Sequence, residues 1–126
     1  MNVDPIIKQK AQDAVDLIMR EVKGAKAVVI ATEDGFEVAS RAENTAQTSR
    51  LSAMASSFSA LGTLVGEESQ LGECNSVIID ASEGLILILQ VRLASVVLTM
   101  CVITGRDAVT GQVLYFSKPA ALSISR

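Results

Sequence analysis

Chemistry in this chain would have to come from two cysteines, Cys74 and Cys101, from the adjacent carboxylates Glu33-Asp34 and Glu67-Glu68, or from four arginines, Arg41, Arg50, Arg92 and Arg106. There is no histidine in the 126 residues, so Ser-His and Cys-His nucleophile pairs and histidine-containing metal sites are excluded. The cysteines stand far apart without a CxxC spacing, and neither has a recognisable activating neighbour in sequence. Reduced thiols in a cytoplasmic protein are the expectation, with a Cys74–Cys101 disulfide as the alternative. Glu33 and Asp34 read as turn residues and Glu67 and Glu68 as solvated loop residues. Neither pair predicts an acid/base or cation site. An arginine supplied in trans stabilises charge developing in phosphoryl transfer, and any of the four arginines would qualify. No glycine-rich loop ending in Gly-Lys-Ser/Thr is present, so nucleotide binding by the P-loop route is not expected. The sequence predicts neither an enzyme nor a cofactor or metal site.

Composition narrows the partners. Nearly half of the residues are apolar, yet there are only three Phe, one Tyr and no Trp, so the core must be aliphatic. The formal net charge of -3 argues against a basic groove, and four aromatics give no stacking platform, so nucleic acid is not an expected partner. The length predicts one domain over residues 1–126. The polar N-terminus MNVDPIIKQK does not read as a signal peptide.

The elements that would position any site follow from periodicity. Asp4 and Pro5 read as a helix cap and first turn, and Ile7, Ala11, Ala14, Ile18 and Val22 carry a helical stripe over about Pro5 to Lys23. AKAVVIAT and FEVASR flank Glu33-Asp34-Gly35, a hairpin signal. The polar stretch Ala42 to Thr48 reads as a loop, with Thr48 or Ser49 capping the next helix. That helix, Ser49 to Val65, has Gly62 and Gly66 towards its end. SVIIDA, LILILQVR and VVLTMCVIT then predict three strands paired antiparallel in succession. Leu85 to Ile103 is about nineteen largely apolar residues, the length of a membrane-spanning helix, but Gln90, Arg92 and the β-branched content favour strands and no membrane insertion. Asp107 is expected to cap a last helix burying Val109, Val113 and Phe116, with Pro119 breaking or kinking it. The predicted class is α+β, a five-stranded antiparallel sheet with helices on both faces, in the order helix, two strands, helix, three strands, helix.

The second helix carries the functional expectation. Leu51, Met54, Phe58 and Leu61 form one stripe, assigned to this subunit's own sheet. Ser49, Ser52, Ala53, Ser56, Ser59, Ala60 and Thr63 are all small, and no charged residue occurs from Leu51 to Gly66. Such a face predicts close approach of another backbone, assigned here to a second chain. SVIIDA is a candidate edge strand whose single charge, Asp80, is scant protection against pairing. Ser76, Ile78 and Asp80 join the helix face as the predicted interface of a homodimer.

The run AVVIATEDGFEVAS, the helix RLSAMASSFSALG and SVIIDASEGLILILQV resemble the roadblock family, which includes dynein light chains and bacterial and archaeal regulators of Ras-like GTPases. The resemblance covers about Ala25 to Thr104, and GRDAVTGQV departs from the family's final helix. It implies a homodimer with a sheet continuous across two subunits, serving a small Ras-like GTPase as regulator or scaffold. Two other classes stand beside this one: a small-ligand-sensing domain with a pocket between sheet and helix, and a structural adaptor that binds no GTPase.

Overall fold

The computed structural model describes residues 3–43 and 48–126. Its element order is α1 (Pro5–Glu21), β1 (Ala25–Thr32), β2 (Glu37–Ala42), α2 (Thr48–Glu68), β3 (Ser76–Ala81), β4 (Gly84–Arg92), β5 (Val97–Thr104) and α3 (Thr110–Ile124). The predicted class and order of elements are those observed. Residues 44–47 fall outside the described residues, and with them most of the expected loop; Thr48 and Ser49, expected to cap α2, are instead its first two helical residues.

Local chemistry sets the ends of the first elements. Asp4 Oδ1 accepts from Ile6 N at 2.8 Å, and Pro5 occupies the first turn, where its missing N–H costs nothing. Ala11, Ala14, Ile18 and Val22 are buried as the stripe predicts. The β1–β2 turn closes with Gly35 N donating to Thr32 O at 2.9 Å and Thr32 N to Phe36 O at 2.8 Å. Gly35 sits at φ +89°, a conformation costly for any residue with a Cβ.

The sheet is antiparallel throughout, in the order β2-β1-β5-β4-β3. Successive pairing holds for β1–β2, β3–β4 and β4–β5, while the β1–β5 ladder joins the two halves of the chain. SVIIDA is an edge strand, as expected. Side chains alternate between faces: Leu85, Leu87, Leu89 and Val91 of β4 join Leu98, Met100 and Val102 of β5 under α1 and α3. Ile86, Ile88, Cys101 and Ile103 turn to the other face with Ala55 of α2. Strands buried on both faces explain the long apolar run from Leu85 to Ile103. Among the described residues no helix is long and apolar enough to cross a membrane.

Three expectations about helix ends are corrected. Gly62 and Gly66 do not end α2, which continues to Glu68. A Cβ at Gly62 would lie 2.8 Å from Cys74 Sγ and 3.0 Å from Val77 Cγ2, so this glycine admits the chain entering β3. In α3 the cap position is Val109, without a side-chain bond, and Asp107 plays no capping part. Val109 is exposed, Val113 buried and Phe116 half-buried, so the expected burial holds for Val113, in part for Phe116, and not for Val109. Pro119 lies inside the helix without ending it. Burial of Val113, Ala120, Ala121 and Ile124 offsets a proline penalty of about 3 kcal/mol.

Candidate protein-interaction surface on the second helix

The apolar stripe of α2 is real, but it faces outward. Ser52, Ala55, Ser56 and Ser59 are the buried residues of the helix, whereas Met54, Phe58, Leu61, Leu64 and Val65 are 42 to 63% exposed. The assignment of Leu51, Met54, Phe58 and Leu61 to the subunit's own sheet is therefore corrected for the last three, and Leu51 is half-buried. Ser52, Ser56 and Ser59, expected at a second chain, pack inside this one.

The physical reason lies in the sheet beneath. The registers that put Val29, Ala31, Thr99, Cys101 and Gln90 on the α2 side present it with small and polar groups. Ser56 Oγ donates to Thr32 O at 2.9 Å, and the Gln90 amide Nε2 donates to Ser59 Oγ at 2.9 Å and Thr63 Oγ1 at 3.2 Å. Each such bond contributes roughly 1 kcal/mol net, and leaving a buried member unpaired costs more. Small residues in α2 do mark close backbone approach, as their pattern implies. The backbone they meet is the chain's own, with Ala53 lying against Gly35 and Gly62 against the entry to β3.

The other predicted interface residues divide. Ser49, Ala53 and Ala60 are exposed on α2, and Thr63 is half-buried. On β3, Ile78 and Asp80 are exposed and Ser76 is half-buried, all three alternating away from α2. A groove of about 620 Å³ connects the two elements, with Phe58, Leu61 and Val65 on one side and Leu71, Cys74 and Val77 on the other. The resulting surface is an apolar helix ridge beside a free strand edge. Scattered exposed apolar residues need no explanation, whereas five of them along one helix make a candidate interaction surface.

No catalytic constellation accompanies it among the described residues, where no group of three Cys, Asp or Glu is placed to hold a metal. Cys74 and Cys101 are both free thiols. Burial pushes the Cys101 thiol from 9.0 up to about 12, which makes it a core residue rather than a nucleophile. Arg41 pairs with Asp16 at 3.7 Å, Arg92 with Glu73 at 3.6 Å, and Arg106 with Glu83. Arg50 is exposed in the first turn of α2 and has no ion pair among the described residues.

Known structures share this fold. A Roadblock/LC7 domain from Streptomyces avermitilis superposes with a TM-score of 0.80 at 18% identity, covering 90% of this chain and 92% of its own. Myxococcus xanthus MglB superposes with a TM-score of 0.83 at 15% identity over 99% of this chain and 90% of its own. An MglB structure described with a tetrameric arrangement gives 0.83 at 15%, covering 98% and 91%. No protein-family model and no curated protein matches the sequence. At identities of 15 to 18% what is held in common is the architecture: this chain has the fold of the Roadblock/LC7 domain and of MglB.

Proposed function

We propose that this chain is a non-enzymatic homodimeric regulator or scaffold for a small Ras-like GTPase. The single observation that carries the reading is the exposed apolar ridge of Met54, Phe58, Leu61 and Val65 beside the free edge of β3. A two-fold axis at that edge pairs β3 with its counterpart and brings two α2 ridges together, giving a sheet continuous across two subunits. The likeness to MglB, described in one case with a tetrameric arrangement, supports self-association. The roadblock resemblance of the sequence supports a small GTPase as the partner. The ridge lacks charge, so association through it is driven by apolar burial.

The test is capture of a Ras-like GTPase from the native cell, loaded with GDP or with a non-hydrolysable GTP analogue. Binding that depends on the nucleotide indicates a regulator, and equal binding in both states a scaffold. Absence of any GTPase in both captures contradicts the proposal. A tight small ligand found under those conditions would favour the sensor class instead.

A further inference from the structure

α1 and α3 lie side by side on the face of the sheet away from α2, and a groove of about 500 Å³ separates their outer surfaces. Ala14 and Leu17 of α1 and Phe116 and Ala120 of α3 form its apolar floor. Leu17 and Phe116 are only half-buried, so they retain apolar surface to lose on binding. The lining runs along α3 from Tyr115 to Ser123, about two helical turns, which is the footprint of one face of another helix.

Apart from the Tyr115 hydroxyl, the polar groups of the groove are acceptors. Asp13 is its one charged residue: Oδ1 accepts from Gln9 Nε2 at 2.9 Å, which fixes the carboxylate, and no ion pair neutralises it among the described residues. Lys10, one turn earlier on α1, donates instead to the main-chain oxygen of Arg126. That contact also shows that α1 and α3 run antiparallel, with Asp13 towards the Ser123 end of the groove. Ser123 Oγ donates to Ala120 O at 2.6 Å and is left with lone pairs alone. At the other end Pro119 has no N–H for the Tyr115 carbonyl one turn before it. The Tyr115 ring, held edge-to-face against Phe116 at 5.1 Å, is 73% exposed and also favours a cation. A complementary partner brings apolar surface, positive charge and hydrogen-bond donors, and an acidic one is repelled.

We propose that this groove binds an amphipathic helix of a partner protein, with arginines beside its apolar stripe. The stripe covers Leu17 and Phe116, and one guanidinium meets the free oxygen of Asp13. A second, two turns along, reaches the carbonyl that Pro119 leaves open at Tyr115. The site is on the opposite face of the sheet from the α2 ridge, and both faces can be occupied together.

Amide spectra of the full chain test this, by titration with the helical peptide acetyl-ALRALLQALRALLQ-amide and with its counterpart carrying glutamate for both arginines. The arginine peptide is expected to shift the amides of Asp13, Leu17, Phe116 and Ser123, and the glutamate peptide to leave them in place. Asp13→Lys, on the exposed side of α1, should weaken the arginine peptide about tenfold. Pro119→Ala, which returns a donor to the Tyr115 carbonyl, should weaken it about threefold even as the fold gains stability. Unmoved groove amides at millimolar arginine peptide, equal shifts with both peptides, or an Asp13→Lys chain that binds as wild type does overturns the proposal. Shifts of the same amides on dilution of the chain alone would seat a second copy in the groove and overturn it as well. None of these results bears on capture of a GTPase by the α2 face.

Discussion

Gln90 of β4 and Ser59 of α2 are joined side chain to side chain at 2.9 Å, between the sheet and the helix. The same amide reaches Thr63 at 3.2 Å, so one glutamine fixes two successive turns of α2. It thereby fixes which face of the helix is left outside. Replacing Gln90 by Ala removes both bonds and leaves the buried Ser59 hydroxyl without that partner, while Thr63 Oγ1 keeps its bond to Ser59 O. The expected loss is about 1 to 3 kcal/mol in urea denaturation, and an unchanged midpoint would refute this role.

Ser56 and Ala60, one turn apart, should respond oppositely to charge. Ser56 is buried against Thr32 O, so Ser56→Arg forces an unpaired cation beneath the helix and costs several kcal/mol of folding stability. Ala60 is exposed, so Ala60→Glu should fold as wild type and alter association alone. Thermal melts with light scattering separate the two effects, and equal melting temperatures for both variants would contradict the orientation of α2.

Cys101 makes stability depend on alkaline pH. Its thiol is raised from 9.0 to about 12 by burial, so the folded state holds its proton more tightly than the unfolded chain does. The contribution is complete below pH 9 and is lost as pH rises towards about 12. Wild type should therefore lose stability more steeply over that window than Cys101→Ala. Parallel pH profiles for the two would show that the thiol does not carry the effect.

Pro119 denies the Tyr115 carbonyl its usual helical donor and lies on the exposed side of α3. Pro119→Ala restores that bond and is expected to stabilise the protein by about 1 to 3 kcal/mol, less the entropy that proline removes from the unfolded chain. A lower melting temperature for the variant would show that the proline fits a geometry alanine cannot support.

These relationships explain what was legible in the sequence. Strand runs, the Asp34-Gly35 turn and the Asp4-Pro5 helix start are local signals, and each is observed. The edge position of SVIIDA followed from successive pairing, although the β1–β5 ladder that completes the sheet joins residues some seventy apart and leaves no local trace. The period of α2 gave its two stripes correctly but not their sides. Burying Met54, Phe58 and Leu61 is the default for a helix on an apolar sheet. Here the sheet offers Ala31, Thr99 and Gln90, and small polar residues fit it better. One clue was present in the sequence: Gln90 is a lone amide within an aliphatic strand and needs partners from the facing helix. Pro119 misled because proline was weighed without the packing that holds α3 in place.

The central claim is that the outward ridge of α2 joins two copies of this chain. Sedimentation equilibrium at micromolar concentration tests it most directly, on wild type and on Leu61→Glu, which places a carboxylate on the exposed ridge without touching the core. The account predicts a dimer for wild type and a folded monomer for Leu61→Glu. A monomeric wild type, or a variant that remains as dimeric as wild type, would contradict it.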